Sequence, residues 1–148
     1  MKKLFIYYSN TGSGDLVAEY LKDKGLDTRK VIRKKKLPKS FFWQIMCGGF
    51  LAMTKHKDKI VDFDYNIDEY DEIIIGSPIW CGTISSPINT VLANIKLDNK
   101  KVSFVLYAGG GEAPDAVQRL NTEFKAEQIV VLKEPKKYPE ELAKLNVL

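Results

Sequence analysis

The sequence predicts a three-layer αβα sandwich, a parallel sheet of five strands with helices on both faces. Two observations carry that prediction. Apolar runs rich in Ile, Val, Phe and Tyr recur without polar alternation, as strands buried on both faces require. Stretches with apolar residues at helical spacing separate them, and strand–helix alternation of this kind builds a parallel sheet through right-handed crossovers. The strand order expected of such a doubly wound sheet is 2-1-3-4-5. The chain's 148 residues fit one domain spanning 1–148.

The first strand is "KKLFIYY". Leu16, Val17, Tyr20 and Leu21 then recur at helical spacing, and Gly25 is the stop signal. "RKVIR" is the second strand candidate, and the helix expected next lies between it and the third strand, "DEIIIGSP". Ile84, Ile88, Val91, Leu92 and Ile95 mark the following helix. "KKVSFVLYAGGG" is a strand ending in three glycines, and Ala113, Ala116, Val117, Leu120 and Phe124 form a helical stripe. "EQIVVL" is the last strand, and "YPEELAKL" a short last helix with Pro139 in its first turn.

In a parallel sheet of this kind ligands sit beyond the carboxyl ends of the strands. Three of those ends are unusual here: "SNTGSGD", "SPIWCGT" and "YAGGGEAP". An ordinary strand–helix connection needs one turn residue or one cap, so three glycine- or hydroxyl-rich loops on one edge suggest one shared site. In the first loop Gly12 and Gly14 let the backbone come close to a ligand, while Ser9, Thr11 and Ser13 offer hydroxyls. At a helix start this suits a phosphate. The plainer alternative is a cap by Ser13 or Asp15. Asp15 after Gly14 rules out a P-loop, and Val17 stands where a dinucleotide fingerprint has its third glycine. Tyr8 and Gly76 stand where a receiver domain has acids, and no nucleophile elbow is present. In the second loop Trp80 offers a flat face for an aromatic ligand, or else packs against its own loop. In the third, Gly109, Gly110 and Gly111 can turn N–H groups toward a heterocycle, while Tyr107 is either core or a second stacking face.

Taken together these loops resemble those of the flavodoxin-like FMN-binding family, across nearly the whole chain. "SNTGSG" resembles the family's phosphate loop, "IIIGSPIWCGTISSPI" its Gly-Ser/Thr-Pro-x-Trp ring loop, and "YAGGGE" its glycine-rich third loop. "FFWQIMCGGFLAMTK" is similar to a lysine-flanked segment of some bacterial and archaeal members. The resemblance implies FMN as cofactor. Its phosphate would lie on Ser9, Asn10, Thr11, Gly12, Ser13 and Gly14. Its ring would lie against Ser77, Pro78, Ile79, Trp80, Cys81, Gly82, Thr83, Gly109 and Gly110, and Tyr107 joins these candidates from its place at the start of the third loop. Gly14 stands where the family has Thr, so one hydroxyl is missing. The chemistry implied is electron transfer by the flavin, with no side chain needed as acid, base or nucleophile and no metal. An electron carrier between redox partners fits the short loops best. The alternatives are an FMN-dependent NAD(P)H:quinone-type reductase and an interaction module without flavin.

Charge is distributed unevenly. The chain carries a net +4, but residues 29–59 hold ten Lys/Arg against Asp58, which makes that segment +9 and the remainder −5. Within it the apolar run Phe41 to Met53 has thirteen residues, too short to span a bilayer. It reads either as the helix packed between the second and third strands or as a docking surface for an acidic redox partner. Peripheral contact with an anionic membrane is a further use. No recognition helix or stacking sheet accompanies the charge, which argues against nucleic acid. Cys47 and Cys81 match neither a disulfide framework nor a metal site, and no secretory leader is evident, so a cytoplasmic protein is expected. Cys81 reads as a small loop residue rather than a redox centre, and His56 as solvated.

Overall fold

The computed structural model describes residues 1–34 and 59–148. The central sheet contains β1 (Lys3–Tyr7), β2 (Asp27–Lys30), β3 (Glu72–Trp80), β5 (Lys101–Ala108) and β6 (Ile129–Lys133). Their order is β2-β1-β3-β5-β6, all parallel, with a short antiparallel β4 (Thr83–Ile84) paired to the end of β3. Counted without β4, this is the 2-1-3-4-5 order the alternation predicts. The helices are α1 (Ser13–Asp23), α2 (Ser86–Asn94) and α3 (Pro114–Phe124), followed by a 3₁₀ segment, Pro139–Val147. Ile84 and Ile95, expected within the helix after the third strand, lie on β4 and at the C-cap of α2.

Alternate residues of β1, β3, β5 and β6 feed two cores. Leu4, Ile6, Ile73, Ile75, Phe104 and Leu106 face one side, where Ile88 and Val91 of α2 and Ala116 and Leu120 of α3 cover them. Phe5, Tyr7, Ile74, Val105 and Tyr107 face the other, under Val17, Ala18 and Leu21 of α1 and Leu145. Each fully buried aliphatic side chain contributes about 1.5–3 kcal/mol of transfer free energy, which fixes the register of both faces.

α1 ends as expected at Gly25, whose φ of 95° is open to glycine. Its N–H bonds Lys22 O at 2.9 Å, and Leu26 N–H bonds Leu21 O at 3.2 Å, which closes a Schellman motif with Leu26 packed on the core.

Two expectations need correction. The second strand is Asp27–Lys30, not 29–33. It is an edge strand with a half-exposed face, so its start carries no apolar signal, and pairing with β1 sets its extent. The last helix is a 3₁₀ turn rather than α. Leu142, Leu145 and Leu148 recur every three residues and pack together on one core, the spacing at which a 3₁₀ helix stacks side chains.

The helix expected between the second and third strands falls on residues 35–58, outside the described residues. The flanking chain forms a stem: Arg33 bridges Ile60 antiparallel, Lys34 N–H reaches Lys59 O at 3.1 Å, and Val61 N–H reaches Ile32 O at 2.7 Å. Among the described residues no helix is long and apolar enough to cross a membrane.

Candidate functional site

The loop after β1 is closed by Ser9. Its Oγ accepts the N–H groups of Gly12 (3.2 Å) and Asp15 (3.3 Å). Gly12 is the N-cap of α1 at φ 101°, a conformation that side chains disfavour. Neither Ser13 nor Asp15 acts as the cap, contrary to the plainer sequence alternative. Ser13 and Gly14 are the first two helical residues, and among the described residues nothing accepts their N–H groups or bonds the hydroxyls of Thr11 and Ser13. These are the orphan donors of a helix start. The carboxylate of Asp15 would repel an anion there, but Lys30 Nζ pairs with it at 2.8 Å and Tyr7 Oη donates to it at 3.3 Å.

Gly14 has a packing reason. A Cβ built on it would lie 2.6 Å from Tyr107 Oη and 2.8 Å from both Ser9 Cβ and Tyr8 O. The space for a threonine side chain is therefore taken by the Tyr107 phenol, whose hydroxyl donates to Tyr8 O. Tyr107 is buried beneath α1, and that burial pushes its phenol well above the ordinary value of 10. It is a protonated donor at any ordinary pH. Of the two sequence readings it is a core residue, with one edge reaching the cavity described below.

The second loop is not a loop at Trp80. β3 continues past its parallel partners, and Ile79 and Trp80 pair with Ile84 and Thr83. Cys81 (φ 50°) and Gly82 (φ 77°) form the two-residue turn, with the two left-handed central residues of a type I′ hairpin. Trp80 is only 3% exposed and meets Tyr8 edge-on, with ring centroids 5.7 Å apart. Ser77 is buried. Its Oγ donates to Pro78 O (2.8 Å), lies 2.9 Å from Ser85 Oγ and accepts Ser85 N–H (2.9 Å). It fastens the hairpin to the N-cap of α2.

The three loops meet at a cavity of about 160 Å³, lined by Asn10, Thr11, Ser13, Pro78, Ile79, Trp80, Tyr107, Gly109 and Glu134. An adjoining hollow of about 440 Å³, with Thr11, Ser13 and Glu134 as shared walls, adds Lys136 and Lys137. The joined groove is of ligand-pocket size, ~300–1,000 Å³. Ser9, Gly12, Gly14, Ser77, Cys81, Gly82, Thr83 and Gly110 are not among the walls of the smaller cavity. They shape the loops behind it or, at Gly110, leave open space. A larger hollow of about 680 Å³ between Lys3, Leu26 and Leu148 lies at the amino ends of the strands, away from these loops.

A fourth strand end enters the site, and sequence reasoning missed it. From the last residue of β6 the chain reads "KEPKK". Glu134 O accepts N–H bonds from Lys137 (2.8 Å) and Tyr138 (2.9 Å), with Pro135 at the second turn position. Glu134 has φ 25°. Lys136 Nζ donates to Thr11 O at 2.9 Å and lies 3.4 Å from a Cβ built on Gly12. The only available signal was positional: these residues follow a parallel strand, on the same sheet edge as the other loops. Among the described residues no group of three or more His, Cys, Asp or Glu could hold a metal.

A doubly wound sheet with a donor-rich helix start beside an aromatic wall defines the flavodoxin-like class. The match to the NADPH-dependent FMN reductase family runs over residues 4–136, and the chain belongs to that family. Its fold is similar to that of a protein of Bacteroides eggerthii DSM 20697 assigned as a flavoprotein (TM-score 0.75, 21% identity, 99% of this chain and 96% of the other). It is similar also to the flavoprotein of Lactobacillus acidophilus NCFM in complex with FMN (TM-score 0.66, 20% identity, 94% and 97%). A flavodoxin from the domain Archaea matches at TM-score 0.55 and 15% identity, over 99% and 96%. At these identities the likenesses establish the fold. No curated protein sequence matches the chain.

Proposed function

We propose that this chain is an FMN-binding redox protein, passing electrons between partners through a flavin held in the groove. The observation that carries it is the pairing of unpartnered N–H and hydroxyl donors of Thr11, Ser13 and Gly14 with the wall of Pro78, Trp80 and Tyr107. The donors fit a phosphate, and the wall fits a planar ring. Gly109 lines the cavity, and Gly110 beside it leaves open space, since a Cβ there would meet nothing within 4 Å. The cofactor is FMN, which supplies one- or two-electron transfer when bound. The chain's own residues hold and shield it. The helix start binds the phosphate, Trp80 and Tyr107 exclude water from one side of the ring, and the hairpin turn sets the position of Pro78 and Ile79.

A second reading is an NAD(P)H-driven reductase, favoured by membership of a family described as NADPH-dependent FMN reductases. The flavin absorbance spectrum of the purified protein tests the common part, and a protein without bound or bindable flavin overturns it. Anaerobic mixing with NADPH, with and without a quinone, separates the two readings. Fast flavin bleaching and quinone turnover support the reductase; reduction only by a protein partner supports the carrier.

The partner surface belongs to the same proposal. The stem at Arg33 and Ile60 stands beside Tyr8, Ser9 and Asn10, with which Lys30, Val31, Ile32 and Arg33 line a hollow of about 350 Å³. The basic segment therefore leaves and rejoins the described chain at the site's own edge, which supports docking of an acidic partner there. Two of its cations are already neutralised, Lys30 by Asp15 and Arg29 by Asp64 at 3.6 Å.

A further inference from the structure

We propose that Lys136 is the counter-charge of the flavin phosphate, supplied from the turn after β6 rather than from the phosphate loop. The inference rests on the FMN reading. The loop 9–14 has no cation of its own. Asp15, the acid that follows it in the chain, is paired with Lys30, and the Glu134 carboxylate on the wall shared with Thr11 and Ser13 adds negative charge that a cation there must offset. Lys136 Nζ already sits over this loop, bonded to Thr11 O at 2.9 Å and 3.4 Å from the position of a Gly12 Cβ. A lysine ammonium has three donors, so one on Thr11 O leaves two for an anion seated against Ser13 and Gly14. Its aim is set by backbone. Pro135 is buried, and Glu134 O closes the turn on both following N–H groups. The left-handed Glu134, at φ 25°, holds this turn in a conformation that L side chains seldom adopt. Lys136 itself is exposed, so changing it removes charge without removing core.

The consequence is selectivity for the phosphorylated flavin. The test titrates the flavin-free full chain with FMN and with riboflavin, following fluorescence quenching at low and high salt. Wild-type protein should prefer FMN, and the preference should shrink as salt rises. Lys136→Gln should weaken FMN about tenfold, flatten its salt dependence and leave riboflavin unchanged. Lys136→Arg should keep most of the preference, while Lys137→Gln should lose less than Lys136→Gln. Equal weakening of FMN and riboflavin in Lys136→Gln would mean a merely structural lysine and overturn the proposal, as would no change at all. Wild-type protein that binds riboflavin as tightly as FMN overturns it too. Failure of wild type to bind either flavin sinks the FMN reading itself, whereas flavin binding indifferent to Lys136 sinks only the lysine.

Discussion

The two ends of the groove are built differently. The ring end is made of strand: Ile79 and Trp80 belong to β3, Tyr107 to β5, and all three are buried. The end proposed for the phosphate is made of loop and helix start: Asn10, Thr11 and Lys136 are exposed, and Lys136 is held by the Thr11 carbonyl. One end draws its shape from the hydrophobic core, the other its charge from chain segments that the core merely brings together. Substitutions at the ring end should therefore disturb folding and binding together, whereas those at the phosphate end should disturb binding alone.

The largest effect expected is from Trp80→Ala. Emptying a buried indole site costs about 3–5 kcal/mol, or roughly 6–20 °C in Tm for a chain of this size. It should also remove part of the flavin quenching. Unchanged Tm would show that Trp80 is not core in solution, and the contrast between the ends would fail. Gly14→Thr comes next, because it lies where the two ends touch. The added side chain must displace the Tyr107 hydroxyl or the Tyr8 carbonyl, at about 1–3 kcal/mol, and FMN affinity should fall with it. Removing the hydroxyl in Tyr107→Phe should relieve part of that clash; a fully stable Gly14→Thr variant would overturn the packing account. Thr11→Ala is the cleanest probe of the loop end. It should weaken FMN by about 1.5–3 kcal/mol while Tm stays put, and a fall in Tm like that of Trp80→Ala would erase the distinction.

Two smaller effects sharpen the electrostatics. Replacing Lys34, Lys35 and Lys36 by glutamate should slow electron uptake from an acidic partner at low salt and leave FMN affinity nearly unchanged. Rates indifferent to salt in both proteins would make the basic segment a solvated face. Tyr7 gives the last and smallest effect. Burial, then the nearby Asp15, pushes its phenol up to about 12 from the ordinary 10. The folded state thus holds the proton more tightly than the unfolded chain. That stabilisation is complete below pH 10 and is lost as pH rises to about 12. Tyr7→Phe should flatten this stretch of the Tm-versus-pH curve but not abolish it, since Tyr70, its hydroxyl on Asp27, is also raised to about 12.

What was legible in the sequence follows the same division. The ring-end strands announce themselves, because residues buried on both faces leave unbroken apolar runs such as Ile73–Ile75. The cradle of the phosphate loop was legible too, as glycines and hydroxyls clustered where one cap would have sufficed. The hairpin at 81–82 was hidden because Cys-Gly is not the Asn-Gly or Asp-Gly signature of a type I′ turn, and Trp80 was accordingly placed on a loop instead of in the core. Lys136 was hidden for a different reason. A lysine in "KEPKK" has the composition of ordinary surface, and its meaning comes from a contact 125 residues away. The role of Gly14 could not be read either, because the side chain that excludes a Cβ there belongs to Tyr107.

The Tyr107 hydroxyl carries one more consequence, in how the molecule breathes. β5 and β1 are not neighbours; β3 lies between them. The bond from Tyr107 to Tyr8 O therefore ties the root of the glycine loop to the root of the phosphate loop across an intervening strand. Opening one lip of the groove strains the other, so the two should form one cooperative unit of local unfolding. Amide exchange reads this directly. The N–H groups held by Ser9 Oγ, at Gly12 and Asp15, should open in step with Gly111 N–H, held by Ala108 O at 3.1 Å. In Tyr107→Phe the two sets should come apart, and each loop would then keep its own time.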